Sequence, residues 1–287
     1  MVRDSLKGEN AMSVLFAAFL GLVQGIAEFL PISSSGHLAI FQTFFHLENV
    51  EESQMLFDVL LHLGTLVSVC IVYWSDIVDV VKELWSMLMG LFGKKTEKRL
   101  PVRRLILLVI LSTVPLVLAV VADDAIEALY SSTLFIGIAL LCTGTMLYLS
   151  DKLASGKKTE KDATWLDAIL VGVMQAVAVL PGISRSGSTI TAGLVRGFDR
   201  KFAVRYSFLL SIPAIVGANI LKIGEAVKAG AGEGMFLPYA VGMLVAAVSG
   251  YFAIKLVKLL MDKGKFGRFS YYCFAVGILT ILLTIIL

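Results

Sequence analysis

Charge is what this chain has least of. Only 16% of its 287 residues are Asp, Glu, Lys or Arg, while 57% are hydrophobic. Soluble domains carry about 25% charged and about 45–50% apolar residues. The shortage excludes a water-soluble enzyme, a disordered chain and a nucleic-acid binder, in spite of a net charge of +3. Cysteine is also scarce: Cys70, Cys142 and Cys273 sit in apolar runs at unrelated spacings. They offer neither a disulfide framework nor a zinc site, and are expected to be small buried hydrophobes. What remains is an all-α polytopic membrane protein, expected to form one integral membrane domain over residues 1–287.

A spanning helix needs about 20 mostly apolar residues. Six stretches qualify: 54–75, 104–122, 131–150, 205–222, 237–260 and 269–287. Two further apolar regions, 11–46 and 164–197, are each broken at the centre, by PISSSGH at 31–37 and by PGISRSGST at 181–189. Each half is too short to cross alone, so both read as re-entrant broken-helix hairpins lining a protein-enclosed site. The apolar run 11–23 has no small-residue cleavage site after it and is read as part of the first hairpin, not a signal peptide. Residues 76–93 mix charge and bulk at helical spacing, as an interfacial helix does.

Charge placement orients these segments. With six crossings, most of the 25 Lys and Arg residues fall on one face, in the connections 76–103, 151–163, 196–204 and 261–268 and the helix ends beside them. The opposite connections carry Glu48, Glu51, Glu52, Asp123, Asp124, Glu127, Glu225 and Glu233. By the positive-inside rule the basic face is cytoplasmic. The first hairpin then opens outward and the second inward.

The two broken regions resemble each other. GLVQGIAEFLPISSSG at 21–36 aligns without a gap to GVMQAVAVLPGISRSG at 172–187, matching Gly21/Gly172, Gln24/Gln175, Ala27/Ala178, Ile32/Ile183, Ser33/Ser184, Ser35/Ser186 and Gly36/Gly187. Opposite orientation makes this an inverted repeat, about 11–122 against about 164–260, with its broken tips meeting near the midplane. Gly21/Gly25 and Gly172/Ala176 are small-xxx-small pairs that permit close backbone approach.

Polar groups at membrane depth point to function. Gln24 and Glu28 share a helix face. Ser33, Ser34, Ser35, Gly36 and His37 form the first break; Ser184, Arg185, Ser186, Gly187, Ser188 and Thr189 form the second. Together they suit a phosphate ester or anhydride. Half-helix N-termini attract anions, Arg185 offers a planar fork to phosphate oxygens, and His37 can move a proton near neutral pH. Plainer readings stand beside these: Ser33 and Ser35 as helix caps, Glu28–Arg185 as a structural ion pair, and His37 as a packed histidine. His62 reads as structural, His46 as solvated, Asp58 as a boundary charge, and Gln175 as satisfying backbone at the repeat contact.

The motifs QGIAEFLPISSSGH at 24–37 and LPGISRSGST at 180–189 resemble the two defining motifs of the undecaprenyl-diphosphate phosphatase family, the bacitracin-resistance membrane phosphatases. The resemblance covers nearly the whole chain. It implies a hydrolase of the bacterial cytoplasmic membrane that converts undecaprenyl diphosphate to undecaprenyl phosphate and recycles the lipid carrier for cell-wall synthesis. Its site residues would be Gln24 and Glu28 as the E/Q-xxx-E pair, and Ser34 and His37 as nucleophile and proton-transfer groups. Ser184, Arg185, Ser186 and Thr189 would bind the diphosphate, joined on chemical grounds by Ser33, Ser35, Gly36 and Gly187. The family depends on a divalent cation, Mg²⁺ or Ca²⁺, here expected at Glu28 and Gln24. Two positions depart from the pattern: Gln24 stands where many members have Glu, and Arg205 where an acidic residue is common.

Three routes for the chemistry follow: Ser34 attack with His37 as base, a phosphohistidine at His37, or direct attack by water. The partners expected are a long-chain polyprenyl diphosphate, membrane lipids and, as a candidate, a second copy of the chain; no nucleic acid. The rival reading is a transporter or flippase for a lipid phosphate or small anion, since inverted repeats with broken helices also build transporters.

Overall fold

A computed structural model describes residues 13–44, 51–92, 100–153, 156–228 and 235–286. The expectations for His46, Glu48, Glu233 and the basic run 94–99 lie outside these residues. Thirteen α-helices run through them in chain order: α1 (Val14–Phe29), α2 (Ser34–Phe44), α3 (Glu51–Val72), α4 (Trp74–Leu91), α5 (Leu100–Thr113), α6 (Leu116–Val121), α7 (Asp123–Tyr130), α8 (Thr133–Leu153), α9 (Trp165–Val177), α10 (Arg185–Val195), α11 (Arg200–Lys228), α12 (Phe236–Asp262) and α13 (Phe269–Ile286). Among the described residues there is no strand, only one parallel bridge between Lys158 and Phe198.

The molecule is a multi-pass helical membrane protein. Among the described residues five segments are long and apolar enough to cross a bilayer: Leu100–Val121, Thr133–Lys152, Arg200–Lys222, Phe236–Asp262 and Phe266–Ile286. A sixth candidate, Leu56–Val72, continues into Trp74–Gly90 through a bend of 88°. α4 therefore leaves α3 at nearly a right angle, where the sequence predicts an interfacial helix. Its first turn and its middle are pinned by ion pairs: Asp76 with Arg205, and Glu83 with Arg103. Trp74, Trp85 and Phe92 are left exposed.

Packing is closest where small residues face each other. A Cβ on Gly21 would lie 2.3 Å from the Gly242 carbonyl oxygen, and one on Gly25 2.5 Å from that of Ala246. α1 therefore lies directly on α12. At the matching place in the second broken region, a Cβ on Gly172 would lie 2.4 Å from the Ser112 carbonyl oxygen, which sets α9 on α5. The glycines thus serve contacts between a broken helix and a candidate span.

Two expectations fail for reasons of helix phase and burial. Only Cys273 is buried; Cys70 is half-buried and Cys142 exposed. Position 142 lies on the outward stripe of α8 that also exposes Leu134, Ile138 and Leu149. Gln175 is buried, but neither of its amide atoms finds a partner, so it satisfies no backbone group.

The start of α9 is fixed by charge. Asp167, fully buried, closes a capping box with Thr164 and pairs with Lys158 at 3.0 Å and Arg196 at 2.7 Å. The carboxylate joins the loop before α9 to the end of α10, and so holds the base of the second broken region.

Candidate active site

Each broken region puts a serine at its break. Ser33 caps α2, its Oγ accepting from the Gly36 N–H at 3.2 Å; Ser184 caps α10 in the same way, accepting from the Gly187 N–H at 3.1 Å. In both copies the capping hydroxyl stands 3.3 Å from the serine two residues on, Ser35 or Ser186. A cap satisfies one of the N–H groups that a helix start leaves without partners. The copies differ in their left-handed residue. Ser33 itself has φ 71°, whereas the second break turns at Gly182, φ 92°.

The two breaks touch. Ser186 Oγ donates to the Leu30 carbonyl at 3.3 Å, and the Cys273 thiol donates to that of Pro31 at 3.6 Å. From α8, Thr143 donates to the Gly182 carbonyl at 2.9 Å and accepts from the Ser184 N–H at 3.2 Å. α13 and α8 thus hold one break each.

Glu28 lies where they meet. Its Oε1 is ion-paired with Arg185, 157 residues away in sequence. Its Oε2 accepts from the Ser34 hydroxyl at 2.6 Å and from Gln24 Nε2 at 3.2 Å. His62 Nε2 stands 3.9 Å from the same oxygen. Gln24 and Glu28 are buried, while Ser34, Ser35 and Arg185 keep partial exposure. The result is an enclosed carboxylate among donors, with a hydroxyl and a guanidinium at its open edge and two helix N-termini beginning beside it.

His37 faces another way. Its Nδ1 lies 2.8 Å from the Ser33 carbonyl, which can only accept, so Nδ1 carries the hydrogen. In the neutral ring Nε2 then accepts from the Tyr272 hydroxyl at 2.7 Å. Of the expected Ser34–His37 pair, Ser34 hydrogen-bonds Glu28 and His37 hydrogen-bonds Tyr272. Thr189 turns back to its own helix, donating to the Arg185 carbonyl and sharing a 2.6 Å hydrogen bond with Ser207. Ser33, Ser184, Ser186 and Thr189 are all buried and engaged in these contacts, as are the backbone positions Gly36 and Gly187.

The chain matches the family model "Bacitracin resistance protein BacA" over residues 17–279. It belongs to that family. Named relatives agree with the match over nearly full length. The undecaprenyl-diphosphatase of Alkaliphilus metalliredigens is 43% identical over 278 residues, covering 96% of this chain and all of that protein. That of Halothermothrix orenii is 43% identical over 273 residues, covering 95% and 98%. That of Methanosphaera stadtmanae is 40% identical over 282 residues, covering 96% and 100%.

In this bacitracin resistance family member, sequence reasoning missed three residues at the site. His62 reads as structural because it lies alone on an apolar segment; its i, i+4 relation to Asp58, whose carbonyl is 2.8 Å from Nδ1, is the local signal. Tyr272 and Tyr130, which lies beside Ser35, carry no local signal at all. Among the described residues no group of three or more His, Cys, Asp or Glu side chains stands together to hold a metal ion. Gln24 Oε1, buried beside Glu28, has no hydrogen-bond partner.

Proposed function

We propose that this chain hydrolyses undecaprenyl diphosphate to undecaprenyl phosphate and inorganic phosphate, and so returns the lipid carrier to cell-wall synthesis. The carrying observation is the Ser34–Glu28–Arg185 cluster at the contact between the two helix breaks. The terminal phosphoryl group binds at Arg185 and the N-terminal N–H groups of α2 and α10. Arg185 turns from Glu28 to the phosphate oxygens, and the carboxylate is then free to act. Ser34 Oγ attacks phosphorus as Glu28 takes its proton. The bond to the bridging oxygen breaks, and undecaprenyl phosphate leaves. Glu28 passes that proton to the departing undecaprenyl phosphate, then takes one from water as the water attacks the phosphoserine; the Ser34 oxygen leaves with a proton returned by Glu28, and phosphate is released. Phosphoryl transfer needs little beyond such positioning and charge stabilisation.

A divalent cation fits as a companion of the substrate rather than as a resident in a protein cage. Glu28, the orphaned Gln24 Oε1 and Ser34 Oγ are hard oxygens, the ligand type that Mg²⁺ and Ca²⁺ prefer, and phosphate and water would complete the shell. When bound, it would neutralise charge on the diphosphate.

The same proposal reads α1–α2 and α9–α10 as re-entrant hairpins of an inverted repeat with six spans in the cytoplasmic membrane. What supports it is the crossed packing, α1 on α12 and α9 on α5, together with the matching serine caps. Basic connections then face the cytoplasm and the site opens outward. No observation favours the transport reading over the hydrolase.

The test is phosphate release from a long-chain prenyl diphosphate by purified protein in detergent, with Mg²⁺, Ca²⁺ or chelator. Cation-dependent release that is lost in Glu28→Ala, Ser34→Ala and Arg185→Ala is expected, with a trapped phosphoserine after a burst. Unchanged release in all three variants would discard the site. No release from folded protein would discard the function.

A further inference from the structure

A second anion-suited place lies away from the Glu28 cluster. At the ends of α3 and α12, Ile71, Val72, Tyr251, Lys255 and Lys258 line a cavity of about 430 Å³. Both lysines are exposed, and each ammonium rests on a tyrosine face: Lys255 Nζ is 4.3 Å from the Tyr251 ring centre, and Lys258 Nζ 5.0 Å from that of Tyr73. Among the described residues neither lies within ion-pair distance of a carboxylate. A ring face offsets part of a cation's charge but accepts none of its N–H bonds, so two ammonium groups keep donors to spare.

The surroundings are those of a membrane boundary. Ile71 and Trp74 are 56% and 65% exposed, and α12 shows Phe252, Leu256 and Leu259 on its outer surface. A lysine that only snorkels extends toward the near end of its helix. Lys255 instead lies over a ring one turn farther from the basic end of α12. That sets its charge beside Tyr251, in the cavity that Ile71 and Val72 also line. An apolar wall joined to two donors of positive charge matches a lipid phosphate: headgroup on the lysines, chain along α3.

We propose that this cavity binds the phosphate headgroup of an anionic membrane phospholipid, at a site separate from the Glu28 cluster. Among the described residues no hydrogen bond or ion pair joins its lining to the Glu28 cluster, so the inference stands whether or not the proposed hydrolysis does. Basic clefts between membrane helices take such headgroups, and each lysine near the surface contributes about fivefold in affinity.

The experiment is native mass spectrometry of the full chain in non-ionic detergent. Phosphatidylglycerol, phosphatidylcholine and inorganic phosphate are the probes. The wild type should retain phosphatidylglycerol, and Lys255→Gln with Lys258→Gln should reduce retention roughly 30-fold, to the level of phosphatidylcholine. Ile71→Trp, which fills the cavity and leaves both lysines, should also reduce it. The elution profile and prenyl-diphosphate turnover of each variant serve as folding checks. If the double variant does not fold, the single Lys→Gln changes carry the test, each expected to lose about fivefold. Equal retention by wild type and variants would overturn the proposal. So would equal retention of the two lipids by the wild type, or displacement of phosphatidylglycerol by inorganic phosphate at equal concentration, which would mark a site for soluble anions.

Discussion

Ser34 gives its hydroxyl hydrogen to Glu28 at 2.6 Å, and the carboxylate that receives it is buried. The proposed nucleophile is therefore coupled to the proposed base six residues earlier in sequence, across the break between α1 and α2. His37, three residues after Ser34, hydrogen-bonds Tyr272 instead. The consequence is a division of roles that substitutions can separate.

Glu28→Gln should lower turnover by about a hundredfold to a thousandfold, the scale for losing one preorganised group of a phosphoryl or acyl transfer site. His37→Gln should cost less than about tenfold, since an amide can keep one hydrogen bond of the ring, worth about 1 kcal/mol. Steady-state turnover of the two variants side by side checks the order. A larger loss for His37→Gln would return the base to His37.

Arg185→Lys tests the fork. Lysine keeps the charge but cannot meet the phosphate oxygens with planar paired donors. We expect turnover to fall about a hundredfold, with a smaller change in KM, because the lost contacts are strongest on the transferring group. A purely structural ion pair would let lysine restore near-normal rates.

The contact of α1 with α12 leaves no room for side chains. Gly25→Ala would drive a Cβ to within 2.5 Å of the Ala246 carbonyl oxygen, a backbone atom that cannot swing away. Overpacking of this kind costs about 1–3 kcal/mol. The melting temperature in detergent should fall accordingly. Gly217→Ala, where a new Cβ meets nothing within 4 Å, is the control and should leave it unchanged or raise it.

Asp167→Ala removes a buried carboxylate that caps α9 and holds Lys158 and Arg196. Both cations are about one-third exposed and can turn to water, which limits the penalty. The loss should be about 2 kcal/mol, mostly from the cap and its charged hydrogen bonds. Thermal melting measures it, and Asp167→Asn should recover about half through the cap alone.

Much of this molecule is legible in the order of its residues. Apolar length locates the candidate spans, since a bilayer requires about 20 such residues per crossing. The Pro, Ser and Gly clusters at 31–37 and 181–189 mark the breaks, because they withdraw N–H groups or supply local caps where a helix must stop. The matched serines foretell matched caps. Gln24, Glu28, Ser34 and Arg185 stand out in the sequence because few other residues of the two broken regions are polar, and the structure brings the four together.

What tertiary structure alone decides is which groups face each other. Ser34 and His37 lie one turn apart on α2, yet the packing of α1 and α13 around that helix gives Ser34 to Glu28 and His37 to Tyr272. His62 reaches Glu28 from α3, and Tyr272 reaches His37 across 235 residues. Periodicity fixes the face of a helix but not the helix it meets, and no local rule could pair Gly21 with Gly242 or Gly172 with Ser112. Close backbone approach settles those pairings, because a helix without side chains at the contact can seat directly on the carbonyl row of a candidate span.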